Sequence, residues 1–426
     1  MRNNKILLVI PLLAIGVVAI LFLILFKDRI FWHIDQLAVK LSYSLKPPEE
    51  EVFLPNTPIA RPANTQTPVP TLTPTPEVIL QTAPVISTEI PTPLPPAASL
   101  DGVKYIGQHG LFNYCAPANL AMALSYWGWQ GDLIEIGSVL KPFEKDKNVM
   151  PYEMADYIQN QTNLGAMVRH GGNLELIKEL IANGFPVLIE KGAWMVDLTN
   201  KVSWMGHFSV IDGYDDGQQK FLTKDSFYGP PDLPEVYPID YDKLESEWRG
   251  FNFQFIVVYP YYEEARLLEI MGDYGDSNLS NQIALNRADE EIVSLSDVAN
   301  VFAWFNKGTS LVQLQDYFGA SSAYDQFFLL NAALPESERP WRMVWYQTGP
   351  YYAYYFAGRY QDVIDLATKT LDVPQPYLEE SWYWRARAYI ALGEREKAID
   401  DLNKSLEYHP NFAPSVALLQ ELGVTQ

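Results

Sequence analysis

The sequence predicts an α+β domain, then an all-α helical-repeat solenoid, behind one N-terminal transmembrane helix. Three observations carry this reading. Residues 6–26 are an uncharged apolar run, residues 101–260 alternate apolar stretches with Gly and Asp turns, and residues 261–426 are helix-forming with a recurring pattern. A length of 426 residues is in keeping with two or three domains.

The run ILLVIPLLAIGVVAILFLILF, residues 6–26, has 21 residues and no charge, enough to cross a bilayer as a helix. It passes directly into Phe26-Lys27-Asp28 with no small-residue cleavage site, so it reads as an uncleaved anchor. Arg2 and Lys5 precede it and Lys27 and Arg29 follow, so charge does not set its orientation. Residues 27–46 are expected to form a juxtamembrane amphipathic segment, with Phe31, Trp32, Ile34, Leu37 and Leu41 on one side, at the membrane interface. Residues 47–100 read as a Pro/Thr-rich linker, and 47–97 hold 14 of the chain's 31 prolines. Too little apolar content remains there for a core, so an extended, semi-rigid stalk is expected. A stalk behind an anchor places the soluble domains on one side of a cell membrane, expected to be the extracytoplasmic side of a bacterium.

Composition narrows the function classes. With 52 acidic against 31 basic residues the net charge is -21, which argues against a nucleic-acid binder. One cysteine, Cys115, excludes an intrachain disulfide and a Cys-based zinc site. The histidines His33, His109, His170, His207 and His409 show no tight metal-ligand spacing. No cofactor and no metal are expected.

Within 101–260, ANLAMALSYWGW and NLELIKELIANG have helical spacing, the second stopped by Gly184. FPVLIEKG, GHFSVIDGYDDG and FQFIVVYP are short β-rich runs ended by turn residues. Helices precede strands, the order of an α+β domain. In the C-terminal part, aligning Gly393 with an interhelical turn puts Trp382, Tyr389, Ala398 and Pro410 on tetratricopeptide (TPR) signature positions. Leu402 takes a position usually held by Phe, and Arg385 and Ala386 depart from a Leu-Gly pair. Weaker copies hold Tyr354, Gly358, Val363 and Ala367, and Trp304, Gly308, Leu311, Ala320 and Tyr324. Three repeats are therefore predicted, near 301–334, 344–377 and 379–412, with an insertion around PESERPWR and an imperfect helical pair over 261–295. Three stacked repeats can bury a face that one cannot.

Cys115 stands at the start of a predicted helix whose first turn holds Pro117. The partial positive charge there favours thiolate over thiol. A lone cysteine is more often a small buried hydrophobe, but His207, in a β-rich run about 90 residues later, offers a base from elsewhere in the chain. Asp225, after the next apolar strand, could accept the other imidazole N–H and fix the tautomer. Asp212, Asp215 and Asp216 compete for that role from the strand and its turn. His109 is nearer Cys115 but sits in a loop with no orienting context. Trp127, Trp129 and Trp194 either line a groove or, the commoner case, pack in the core.

The order Gln–Cys–His–Asp, the Cys-x-Pro-Ala run opening a helix and the Gly-His-Phe-x-Val-x-x-Gly-Tyr-Asp strand resemble the family-39-like cysteine peptidases over about 105–260. This is a papain-like group that includes bacteriocin-leader processing domains. The resemblance implies an α+β papain-like cysteine peptidase domain plus an all-α TPR solenoid. It implies Cys115 as nucleophile, His207 as base, Asp225 as the residue that orients it and Gln108 as an oxyanion-hole donor. Two departures stand out. Ala116 follows the cysteine where the family has Gly, and Gln108 lies seven residues before it rather than six. The expected function is a membrane-anchored cysteine peptidase acting on a peptide or protein substrate, with the repeats binding a protein partner. The alternative is a catalytically inactive scaffold of the same fold. The repeats are expected to supply no catalytic side chain, so a fragment ending near residue 265 should keep its activity.

Overall fold

A computed structural model describes residues 34, 36–48, 52–56, 93–143, 145–197, 200–227 and 235–424. The apolar run 6–26, and with it the expected anchor, lies outside the described residues. Among the described residues no helix is long and apolar enough to cross a membrane.

The N-terminal domain is a mixed α/β unit around one antiparallel sheet of seven strands. In chain order these are β1 (Ala97–Ser99), β2 (Leu164–Arg169), β3 (Val187–Val196), β4 (Val202–Asp215), β5 (Lys220–Lys224), β6 (Tyr237–Asp240) and β7 (Phe255–Pro260). Their spatial order is β2-β7-β3-β4-β5-β6, with β1 paired to β4. The period-2 alternation sorts side chains between two cores. Leu188, Phe208, Val210, Ile256 and Val258 pack in one, with the helices α2 (Cys115–Tyr126), α3 (Leu133–Leu140) and α4 (Pro151–Gln161). Val187, Ile189, Ile211, Phe255 and Val257 pack in the other, under α5 (Leu174–Ala182) and α6 (Tyr241–Arg249). Because both faces are covered, the strands read as continuous apolar runs. α2 is buried from Ala116 to Ser125, as its run of small and apolar residues around the whole circumference requires.

Ten helices follow: α7 (Glu264–Met271), α8 (Ser277–Ser294), α9 (Asp297–Gln313), α10 (Tyr317–Ala333), α11 (Met343–Tyr346), α12 (Gly349–Phe356), α13 (Tyr360–Leu371), α14 (Glu379–Ala391), α15 (Arg395–Tyr408) and α16 (Ala413–Glu421). The pairs α9/α10, α12/α13 and α14/α15 fall on the three predicted repeats. Gly358 and Gly393 end α12 and α14 at φ of 76° and 80°, the left-handed conformation that the turn needs. Tyr354, Ala320 and Ala398 are buried as repeat packing positions should be, whereas Trp304, Trp382 and Tyr389 are only half-buried. In the last repeat Trp384 is the buried tryptophan.

Three boundary expectations change. β1 joins the sheet through Ala97–Ser99, so the domain begins ahead of residue 101. The expected stalk touches the repeats at 52–56: Phe53 is buried against Phe328 and Tyr354, and Asn56 bonds the Asp362 carboxylate. Burial of the Phe53 ring and the Asn56 hydrogen bonds offset part of the entropy lost in ordering these five residues. The juxtamembrane segment is helical over 36–45. Its Val39 and Tyr43 are buried, Tyr43 against Trp341, while Ile34, Leu37, Leu41 and Leu45 are exposed.

The two parts share a core. Trp204 on β4 stacks on Phe251 and meets Phe302 of α9 and Tyr346 of α11. The insertion 335–342 is a docking element: Arg342 pairs with Asp197 at 3.0 Å and also bonds the Ser203 hydroxyl, and Trp341 Nε1 donates to Ser203 Oγ.

Candidate active site

α2 begins at Cys115, with Tyr114 as its N-cap. The backbone N–H groups of the first turn have no intrahelical acceptor, so they and the helix dipole face the thiol with partial positive charge. β4 carries His207 to the same cleft, where the Cys115 thiol and the His207 ring are close enough to shift each other's charge. His207 Nε2 lies 2.6 Å from Asp225 Oδ1, which leaves Nδ1 for the cysteine. Cys115 is half-buried, at the floor of a cleft of about 430 Å³.

Asp225 follows β5 and is buried among donors. Its Oδ2 accepts from Ser209 Oγ at 2.8 Å and lies 3.5 Å from Lys191 Nζ, and its Oδ1 also accepts from the Phe227 N–H. Burial disfavours its charge, but the His207 imidazolium, then Lys191 and the Phe227 N–H, hold its carboxyl well below the usual range. Burial likewise opposes a charged His207. The Asp225 carboxylate and the Cys115 thiolate outweigh it and push His207 up to about 10. Burial raises the Cys115 thiol, yet contact with His207, the Phe208 backbone and the Lys141 charge bring it below its ordinary value. Between the lowered cysteine value and the His207 value of about 10, the arrangement favours a thiolate–imidazolium pair.

Gln108 lines the same cleft. Its backbone N–H bonds the Ser226 carbonyl, and its Oε1 accepts from Ser226 Oγ at 2.8 Å. That tether sets the side chain in spite of the extra loop residue, and it leaves the Nε2 hydrogens to serve as donors. The competing carboxylates are engaged elsewhere: Asp212 with Lys224, Asp215 with Gln218, Asp216 with Lys178 and Tyr241. His109 bonds Tyr105. Trp127 donates to the Val258 carbonyl and Trp129 packs on the core, while Trp194 is partly exposed; none of the three lines the cleft.

Several supporting residues gave no readable signal. Asn119, one turn along α2, is fully buried, and its Nδ2 lies within bonding distance of the Cys115 and Phe208 carbonyls and of Ser226 Oγ. It ties nucleophile, base and Gln108 tether together. Lys191 is opposite His207 in the β3–β4 register. Glu190, its neighbour, is buried, and burial and the Cys115 charge raise its carboxyl well above the usual range. The i+4 spacing of Cys115 and Asn119 is the only one of these that inspection of a helix could have suggested. The helical part adds Arg342, Trp345 and Tyr346 to the cleft wall, and the 36–45 helix adds Val39 and Tyr43. It supplies none of the four expected site residues but closes one side of their cleft.

Residues 100–256 match the model of the family described as Peptidase_C39 like, and residues 379–412 match the tetratricopeptide repeat model. Among solved structures, the chain is similar to that of a candidate C39-like peptidase from Bacillus anthracis. The identity is 19%, the match covers 38% of this chain and 96% of that one, and the TM-score is 0.31. No curated protein matches the chain. The protein thus carries a C39-like peptidase domain followed by a tetratricopeptide repeat.

Proposed function

We propose that this protein is a membrane-anchored cysteine peptidase in which Cys115, His207 and Asp225 act as a triad on a peptide or protein substrate. The observation that supports this most is His207 held between the Cys115 thiol and the Asp225 carboxylate. Cys115 Sγ attacks a peptide carbonyl, and His207 Nδ1 protonates the leaving amine to give a thioester. Water, deprotonated by the same nitrogen, then releases the acid and restores the thiolate–imidazolium pair. The oxyanion sits between the Gln108 side-chain amide and the Cys115 backbone N–H. The apolar cleft, walled by Phe112, Met205 and Phe227, suits a short extended segment. The tetratricopeptide repeats offer a surface for a protein partner.

Asp225→Asn tests the proton logic. The group must work as thiolate plus imidazolium, so activity rises as pH passes the lowered cysteine pKa and is lost as pH rises through the His207 value of about 10. Removing the carboxylate charge should move the alkaline limb of kcat/KM to lower pH and reduce its maximum on the order of 100-fold. An unmoved limb would remove Asp225 from the triad.

The anchor rests on the 6–26 run and the proline-rich stretch behind it. Protease treatment of intact cells should release the folded domains if these lie outside. Protection until the membrane is permeabilised would place them in the cytoplasm.

A further inference from the structure

A second cluster lies outside the triad, where the last repeat meets the peptidase domain. Asp146 comes from the loop between α3 and α4, Glu379 is the first residue of α14 and His409 directly follows α15. Each offers one ligand atom, and these atoms lie within 4.8 Å of one another. Among the described residues this is the one group of three such side chains. We propose that Asp146, Glu379 and His409 bind a divalent cation, zinc by the chemistry of the donors, that fastens the last repeat to the peptidase domain.

The acidic residues alone would not justify a site. The independent observation is Asp146 Oδ2. Asp146 is 2% exposed, and this oxygen has no hydrogen-bond partner, a cost that a native interior rarely carries without a reason. Glu379 is also 2% exposed, and Glu380 and Glu153 stand nearby. Two buried carboxylates this close repel each other, and burial disfavours the charge on both. A bound cation would supply the missing charge. His409 adds an imidazole, which ligates a metal in its neutral form. Its Nδ1 lies 2.7 Å from Glu379 Oε1, a contact of one shared proton that a metal would displace.

Two carboxylates and one imidazole suit zinc, which takes three protein ligands and an open position at metal–ligand distances of about 2 Å. Drawing the three atoms to such an edge needs side-chain movements of roughly an ångström. The surroundings are dry: Phe143, Tyr377 and Tyr408 form an aromatic trio beside the loop. The loop also reaches the cleft, because the Asp146 carbonyl accepts from Asn113 Nδ2, two residues before Cys115. A cation would therefore hold both the repeat and the edge of the cleft.

The test uses the full chain with Cys115→Ala, so that the thiol cannot take the metal. After chelator treatment, zinc titrated by calorimetry should bind at a single equivalent with proton release. Asp146→Asn and His409→Gln should each weaken binding roughly 100-fold or more. Thermal melts supply a readout that a purely structural role would not give. In chelator, Asp146→Asn should leave the Tm unchanged or raised, since it removes a buried like charge. With zinc its Tm should fall below that of the parent. Manganese or calcium binding, lost in the same variants, would keep the site and change its metal. Absence of stoichiometric binding for all three ions in the parent would overturn the proposal. So would binding that survives both substitutions, or an Asp146→Asn effect of the same sign and size with and without metal.

Discussion

Cys115→Ala should abolish peptide hydrolysis, with a loss on the order of 100,000-fold, because the remaining groups act only through the sulfur. The fold should survive, since the side chain is half-buried and Ala is a good helix former at the start of α2. Alkylation separates this from a structural cysteine. In the unsubstituted protein iodoacetamide should label Cys115 below the ordinary thiol pKa of about 8.5, because the pull of His207 lowers the thiol in spite of its burial. His207→Ala should slow that labelling as well as hydrolysis. Hydrolysis that persists in Cys115→Ala on a validated substrate would end the peptidase reading. The same electrostatics enter stability. A His207 pKa raised to about 10 contributes stability that is fully present below about 6.5 and is lost as pH rises through the folded value. The depressed Asp225 contributes stability above about 3.9 that is lost as pH falls toward its folded value.

The second large effect is structural. Trp204→Ala should cost about 3–5 kcal/mol, the range for deleting a buried aromatic side chain, and lower the Tm on the order of 10 °C. Trp204 is 1% exposed and occupies the junction of β4, Phe251, Phe302 and Tyr346. Gly192 has no room for a Cβ, which would lie 2.2 Å from the Trp204 ring, so the pocket is shaped for this residue. Calorimetry of the unsubstituted protein should show the peptidase domain and the adjoining repeats unfolding together, and the substitution should uncouple them. For the same reason a fragment ending near residue 265 should be unstable. It would expose Trp204 and Phe251 and lose Arg342 from Asp197 and Ser203. This revises the expectation of a separable catalytic domain. Two independent transitions in the unsubstituted protein, or an active and folded short fragment, would restore it.

Much of the architecture was legible in local pattern. Apolar alternation marked β3, β4 and β7, and the αL glycines Gly358 and Gly393 marked the repeat turns, because both signals depend on neighbours in the chain. Cys115, His207, Asp225 and Gln108 were legible for a different reason: each sits in a short run whose residue types suit its task, and their order resembles a known family. The structure brings Cys115, His207 and Gln108 to one cleft and sets Asp225 against the His207 ring. The tryptophans of the repeats were read less well. Trp384 rather than Trp382 is buried, since the two residues lie about 200° apart around the helix and spacing alone does not identify the partner helix.

The sequence by itself determined the division into an apolar N-terminal run, a proline-rich stretch, an α/β domain and helical repeats, and it singled out the candidate site residues. Those are properties of composition and of short windows. Only the tertiary structure decided that Asn119, Ser226 and Lys191 hold the triad in place, that Tyr346 and Trp345 wall its cleft, and that Asp146 meets Glu379 and His409. Each of these contacts joins residues from separate elements, up to 263 positions apart in the last case. Proximity across such separations is set by how the sheet, α2 and the repeats pack, and no local period in the chain encodes it.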